Sequence, residues 1–388
     1  MNDALINVAP AEQVGRDTLS RFDMQFQAAA FAALEILNGK SVVAVYCDYH
    51  DDFVVKHMSG GMPTYHFFQV KTKSKPNHQW NLLETFAIKQ RGQKLDEDSL
   101  KRIKNSFFGK LIFQSLTFGD QCARATLLSN VHFEDPVIQV VKELQTNEAT
   151  HQAVKFFVHN FSSIYSIQPA ANQEDVKHIV AKVAIEAGVG YISDDRNAFI
   201  NSARSAIFHH SEVDLDYYEI TELANNLLEL VFKKSKGSLA VEKIKELEQY
   251  AAITLDDLLK VLSISPAAYK ALLNGDDKKA IKTASILHRV LRDAGATSAM
   301  IEYASAQKVA WDVWLRTSRH TYLPFDLEFL LQRIDDLCVT WQRNGSVMSD
   351  LQPLISSAVA DPFVKKFNLD EALIFGGIQA VLVRRATR

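Results

Sequence analysis

The stretch from Val42 to Lys75 limits most strongly what this chain can fold into. The valine-rich residues 42–46 and the segment 65–72 are both typical of strands, and residues 53–56 either continue the first strand or pair with it. Ser59-Gly60-Gly61 lies between them, and glycine accepts the positive φ angles of tight hairpin turns. The sequence therefore predicts neighbouring strands joined by a hairpin-like turn.

Polar side chains collect at the end of the first of these strands and along the last. They are Asp48, Asp51, Asp52, Gln69, Lys71 and Lys73. The last three are spaced to share one face of a strand. Carboxylate, amide and carbonyl oxygens suit Mg²⁺ or Mn²⁺, and a nearby lysine can orient water or stabilise negative charge on a phosphate. The pattern favours metal-assisted phosphodiester hydrolysis, although Gln-x-Lys alone is a common string and a strand-end aspartate is more often a turn former.

Bulk composition narrows the class of protein. The chain has 388 residues, 47% hydrophobic and 23% charged, which suits two globular domains. Net charge is −3, but residues 69–110 hold ten Lys or Arg against four Asp or Glu, a stretch that could contact phosphates or form an ordinary solvated face. Three separated cysteines, no apolar run of membrane length and no signal-like N-terminus predict a cytoplasmic protein without membrane contact.

The two halves of the chain differ in pattern. Residues 1–236 alternate helical and strand-like segments, beginning with an amphipathic helix over Gly15–Asn38 and including a predicted helix over Glu174–Ala187. Residues 237–388 are almost wholly helical in pattern, with Thr254–Ile264 among the predicted helices. We therefore predict an α/β domain over 1–236 and an all-α domain over 237–388 that docks a partner or forms oligomers.

Four stretches together resemble a known family. They are the helix at 15–37, the acidic strand end YCDYHDDFVV at 46–55, FFQVKTK at 67–73, and SFFGKL at 106–111 with LLSNVHF at 127–133. Their order is similar to the PD-(D/E)xK nuclease superfamily in its Gln-x-Lys variant. More closely, they resemble the DNA endonuclease domain of Cap-four-type CBASS effectors and of the nuclease subunit of Lamassu defence systems. The second half does not resemble a nucleotide-sensing domain, which favours the Lamassu-like arrangement.

The resemblance implies a fold and a set of site residues. The fold is a restriction-endonuclease-like core sheet flanked by helices. Asp52 would be the metal carboxylate, assisted by Asp51 or by Asp48, which stands where such domains often have glutamate. Gln69 and the Val70 carbonyl would complete the ligands of Mg²⁺ or Mn²⁺, Lys71 would orient the attacking water, and Glu35 on the first helix would be an accessory residue.

The same resemblance implies a biological setting. The chain would cut double-stranded DNA as an effector of bacterial anti-phage or anti-plasmid defence. It would be held inactive until released or assembled, with an SMC-like ATPase and a small accessory subunit as partners and a homo-oligomer as the active form. Two alternatives stay open: a catalytically silent scaffold that kept the nuclease fold, and a nuclease acting on RNA or single-stranded DNA with the same residues.

Overall fold

The predicted hairpin is part of a six-stranded sheet in the computed structural model, which describes residues 14–75, 77–89, 93, 95–211, 217–236 and 246–386. The strands are β1 (Val42–Tyr49), β2 (Asp51–Ser59), β3 (Met62–Lys71), β4 (Gln79–Trp80), β5 (Cys122–Ser129), β6 (His132–Phe133), β7 (Val183–Glu186) and β8 (Ala252–Thr254). The sheet has the order β7-β5-β3-β2-β1-β8, and β4 pairs with β6 separately. Strands β1, β2 and β3 are antiparallel neighbours, whereas β3, β5 and β7 run parallel.

The helices surround the sheet and then fill the second half of the chain. They are α1 (Val14–Leu34), α2 (Leu82–Phe86), α3 (Glu97–Lys104), α4 (Phe107–Phe118), α5 (Asp135–Thr146), α6 (Gln152–His159), α7 (Phe161–Tyr165), α8 (Gln173–Val180), α9 (Arg196–Ser211), α10 (Tyr217–Lys234), α11 (Leu247–Ala251), α12 (Leu255–Val261), α13 (Pro266–Asn274), α14 (Ala280–Asp293), α15 (Ser298–Ser318), α16 (Pro324–Arg343), α17 (Met348–Ala360) and α18 (Glu371–Ala386). A 3₁₀ turn over Glu35–Asn38 follows α1 and ends at Gly39, whose φ of 61° is the left-handed conformation that glycine accepts readily.

The chain divides into two compact units. The first comprises residues 1–203 and 220–255, and the second comprises residues 204–219 and 256–388. The mixed α/β architecture with a central sheet and the helical C-terminal region are confirmed. The restriction-endonuclease-like assignment and the functional boundary after residue 236 stay predictions.

Two short strands differ from the predicted helices. Residues 183–186 form β7 beside β5, although we predicted one helix over Glu174–Ala187, and residues 252–254 form β8 beside β1. In β7, Val183 and Ala184 are buried while Glu186 is exposed. So short a segment shows neither the helical nor the strand period clearly, and its pairing with a neighbouring strand decides its structure.

One buried carboxylate fixes the segment that leaves α5. Glu143 is only 3% exposed and accepts hydrogen bonds from the backbone N–H groups of Thr150 and His151, from the Thr150 hydroxyl and from the Gln139 amide. Burial alone would raise the pKa of Glu143, but these hydrogen bonds lower it to about 2. The carboxylate therefore stabilises this segment in its charged form.

The second unit is built from helices around buried aromatic side chains. Trp311 and Trp341 lie in its core at 2% and 0% exposure. Helix α18 approaches α15 closely, because a Cβ added at Gly376 would lie 2.1 Å from the Gln307 carbonyl oxygen. Beside this contact the ammonium group of Lys308, largely buried, lies 2.7 Å from a carboxylate oxygen of Asp277.

The cysteines and the helices show two general features of the fold. Cys47, Cys122 and Cys338 are buried, and none of the three forms a disulfide bond. Among the described residues, no helix is both long enough and apolar enough to cross a membrane.

Candidate active site

The three aspartates are brought together by a tight connection between β1 and β2. Tyr49 pairs with Asp51 across it, so His50 is the single residue between them. Asp48 and His50 have positive φ angles of 49° and 65°. Aspartate and histidine tolerate this left-handed conformation better than most residues with a side chain. The turn places Asp48, Asp51 and Asp52 at one end of the sheet.

Asp52 is held by the neighbouring strand β3. Its Oδ2 atom accepts a hydrogen bond of 2.6 Å from the backbone N–H of Val70. The ammonium nitrogen of Lys71 lies 3.4 Å from the same oxygen and donates to the Val70 carbonyl at 3.1 Å. The structure therefore brings Asp52, Val70 and Lys71 into direct contact, as the spacing of the acidic strand end and Gln-x-Lys suggested.

Two buried side-chain oxygen atoms, on residues adjacent to Asp52 and Val70, accept no hydrogen bond from the residues that the structure describes. Gln69 is 4% exposed, and its Oε1 atom has no hydrogen-bond partner within the described parts of the chain. The same holds for Oδ2 of Asp51, whereas its Oδ1 accepts from the backbone N–H of Asp52. A buried acceptor without a donor costs about 1–3 kcal/mol. Either oxygen would thus be stabilised by a donor or a cation.

Burial and the mutual repulsion of the aspartates determine the electrostatics of the strand ends. Burial, and then repulsion from Asp52, raise the pKa of Asp51 to about 7, although the Asp52 N–H, Lys71 and Lys110 oppose this. Burial and the charge of Asp52 also raise the pKa of Asp48. Adjacent carboxyl groups cannot all ionise freely unless a cation compensates them.

Asp48 and Asp52 open into a cavity of about 740 Å³ in the first unit. The opposite walls come from α1, from the C-terminal end of α10 and from the segment that holds Asp194 and Arg196. The volume lies in the range of pockets that hold small ligands, roughly 300–1,000 Å³. Asp52 is thus reachable from the cavity, whereas Gln69 is buried and does not line it.

Two predicted polar residues lie apart from this contact. Glu35 is exposed in the 3₁₀ turn, accepts a hydrogen bond from the Asn38 amide and does not line the cavity. Its accessory role stays a prediction. Lys73, which we expected on the same face as Lys71, lies beyond the end of β3, where it pairs with Glu84 at 3.1 Å and stacks over Trp80. That expectation was wrong because the strand ends first.

Sequence reasoning missed part of the cavity. Asp23 on α1 lines it and pairs with Arg196 at 2.7 Å, while the buried Gln27 donates to Asp23 and to the Ser193 carbonyl. The spacing of Asp23 and Gln27, one helical turn apart, was the available signal. Phe22, on the same helix, is 47% exposed and also lines the cavity.

The predicted metal ligands are of mixed type. Among the residues that the structure describes, no three His, Cys, Asp or Glu side chains converge to hold a metal ion. The predicted set instead combines carboxylate oxygens with the side-chain amide of Gln69 and the main-chain carbonyl of Val70. All are hard oxygen donors of the kind that Mg²⁺ accepts.

Comparison with known proteins gives a family. Two solved structures are similar in part, at TM-scores of 0.37 and 0.34 and identities of 12% and 10%. They are the Acinetobacter baumannii Cap4 SAVED/CARF-domain containing receptor and the same receptor with the cyclic trinucleotide 2'3'3'-cAAA. They cover 81% and 78% of this chain, which spans only 62% and 66% of theirs. No curated protein is similar in sequence.

The family model described as "Cap4, dsDNA endonuclease domain" matches residues 13–235, a range that holds the whole β1–β3 site. Since this range is more than half of the 388 residues, the chain belongs to the Cap4 dsDNA endonuclease domain family.

Proposed function

We propose that this chain is a divalent-metal-dependent endonuclease that cuts double-stranded DNA in bacterial anti-phage and anti-plasmid defence. The observation that carries the proposal is the contact of Asp52 with Val70 and Lys71 at the open end of the sheet. Family membership supplies the class of substrate. Acid, amide and lysine groups in this order are suited to phosphodiester hydrolysis.

The donor set fits Mg²⁺ or Mn²⁺. Asp52, the Gln69 amide oxygen and the Val70 carbonyl would hold the ion, with Asp48 or Asp51 assisting. The fit is supported by the buried Gln69 and Asp51 oxygens, which have no donor among the described residues. When bound, such an ion supplies activation of water and stabilisation of charge on the phosphate.

The side chains of the chain have separate roles in this proposal. Lys71 orients the attacking water and stabilises the negative charge that develops on the phosphate. Asp52, which lines the cavity, holds the Lys71 ammonium group beside it through their ion pair. The same ammonium group partly neutralises the negative charge of Asp52 and donates a hydrogen bond to the Val70 carbonyl oxygen.

Control of the activity is part of the proposal. A DNA-cutting enzyme that is always active would damage the genome of its host. The helical second unit, which has no convergent metal-ligand cluster among its described residues, would dock the inhibitory partners. By resemblance these are an SMC-like ATPase and a small accessory subunit, with release and homo-oligomerisation as activation. Size-exclusion chromatography that finds an inert monomer with no partner binding would contradict this part.

Plasmid cleavage in Mg²⁺ tests the nuclease. We expect Lys71→Ala to lower the cutting rate by roughly 10²–10³-fold or more, the typical loss when one charge-stabilising group is removed. Lys73→Ala is a matched control, since Lys73 pairs with Glu84 outside the site. Cutting by a folded Lys71→Ala protein at the wild-type rate would refute the assigned role.

Metal binding tests the site without activity. Calorimetry with Mg²⁺ or Mn²⁺ should show binding to wild type and much weaker binding to Asp52→Asn, which keeps the shape of the side chain but removes its charge. If wild type neither cuts DNA nor binds either metal, the chain is a silent scaffold.

A further inference from the structure

An aromatic wall lines the same cavity as the carboxylates Asp48 and Asp52. We define it as Phe22 and Phe26 of α1 and Phe232 of α10. The ring centres of Phe22 and Phe26 are 6.4 Å apart, and those of Phe26 and Phe232 are 6.0 Å apart in an edge-to-face arrangement. The ammonium group of Lys236 lies 5.0 Å from the Phe232 ring centre. The aromatic wall is therefore a continuous set of rings with a cation at one end.

The outer rings of the aromatic wall are about half open to solvent. Phe22 is 47% exposed and Phe232 is 46% exposed, whereas Met24 and Ala28 on the same helix are buried. Full burial of a phenylalanine stabilises a protein by roughly 1.5–3 kcal/mol, so half-exposed rings forgo part of this. Apolar rings gathered in a cavity beside polar groups are typical of a binding site.

The size of the cavity limits what it can hold. About 740 Å³ corresponds to one small ligand, and a stacked duplex does not fit inside. A duplex can present a phosphate at the mouth of the cavity with its bases still stacked. A base can enter the cavity itself only if it leaves the stack, as it does in enzymes that extrude a base from the duplex. Exposed phenylalanine rings are suitable surfaces for such an unstacked base.

We propose that Phe22 and Phe232 stack on bases of the strand being cut, with Lys236 near its phosphate, so that the enzyme acts on locally unstacked DNA. This inference rests on the proposed nuclease function and refines its substrate. The occupant is nucleic acid because the rings share one cavity with Asp48 and Asp52, where the scissile phosphate would bind. Mismatched or already opened sites, which are easiest to unstack, are the preferred substrates.

Binding measurements on the full chain test the proposal. We would use Lys71→Ala protein with Mg²⁺, so that DNA is bound but not cut, and a duplex with 2-aminopurine at a central mismatch. Adding Phe22→Ala or Phe232→Ala should weaken binding on the order of 5- to 150-fold per ring and reduce the rise in 2-aminopurine fluorescence. Phe22→Tyr and Phe232→Tyr should retain both signals because they retain the ring.

The controls separate stacking from folding. Phe113→Ala removes a ring that is 42% exposed on α4 and outside the cavity, and it should bind as the parent does. Phe22→Leu keeps the apolar volume without a ring and should weaken binding as alanine does. Thermal unfolding of each variant shows whether the fold is kept.

The outcomes distinguish this inference from the proposed function. If the parent binds DNA but both alanine variants bind it equally well, the aromatic wall does not stack on bases, and the nuclease proposal still stands. The same result with loss of self-association would make the wall a protein interface and would also overturn the inference. If even the parent protein does not bind DNA in Mg²⁺, this inference fails, and the plasmid-cleavage and metal-binding tests decide the nuclease proposal separately.

Discussion

Replacing Asp51 by asparagine should stabilise the first unit, and the gain should grow with pH. The pKa of Asp51 is raised from its ordinary value of 3.8 to about 7, first by burial and then by Asp52. The folded state therefore holds the proton more tightly than the unfolded state does. Stability is highest when Asp51 is protonated, and it is lost as pH rises through the window from about 4 to 7.

The magnitude follows from the two pKa values. At about 1.4 kcal/mol for each unit of pKa, ionised Asp51 costs at most about 1.7 kcal/mol at pH 5, about 3 at pH 6 and about 4 at pH 7. These are upper limits because Asp51 is only half-buried and water screens its charge in part. Asparagine imitates the protonated group, and its oxygen can still accept from the Asp52 N–H.

The assay is urea denaturation of both proteins between pH 5 and pH 8 in EDTA, so that no metal binds. Comparison at each pH cancels the groups that the two proteins share. Asp98→Asn, at an exposed position in the first turn of α3, is the matched control and should show a difference that does not change over this pH range. A constant difference for Asp51→Asn over this range would refute the reasoning.

Three further substitutions test the fold by urea denaturation. Gly376→Ala should destabilise the second unit by about 3 kcal/mol, because its Cβ would meet the Gln307 carbonyl oxygen at 2.1 Å; a neutral effect would contradict that packing. Glu143→Gln should lower the free energy of unfolding by about 2 kcal/mol at pH 7. That difference should narrow as pH falls from about 4.5 towards 2, where the wild-type carboxylate is protonated, and a constant difference would refute the charged-acceptor account. Lys308→Met should lower the free energy of unfolding by about 3–5 kcal/mol, because Asp277 would lose the ammonium group that pairs with it. Adding Asp277→Leu to this variant should restore part of the lost stability, and no recovery would contradict the account.

The site was predictable where its residues follow from local chain geometry. The Val-rich strands, the Gly-Gly turn and the order of Asp52 and Gln-x-Lys predict neighbouring strand ends, and the structure places Asp52, Val70 and Lys71 in contact. A hairpin fixes its own register, so few alternatives exist. The helices of the second half are equally visible, because long apolar patterns of helical period are the strongest signal.

The rest depends on distant parts of the chain. Strand β8 is three residues long, and it is a strand because its backbone hydrogen-bonds to the edge of β1. The exposure of Phe22 depends on how α1 and α10 border the cavity, which helical period cannot show. Lys73 does not lie on the predicted strand face because β3 ends at Lys71, and its ammonium group forms an ion pair with Glu84 instead. These contacts join residues far apart in sequence or depend on where a strand or helix ends. The pattern of neighbouring residues therefore does not predict them.

Strand β8 also determines where the chain can be shortened. It pairs with β1 at Ala44, Val45 and Tyr46, and thereby covers this part of the outer edge of β1. A fragment ending at residue 235, where the family match stops, would leave those backbone groups open to pairing with other molecules. Aggregation of that fragment would then say nothing about the activity of the nuclease. A fragment that extends to residue 255 retains the protecting strand and is the better choice for isolating this domain.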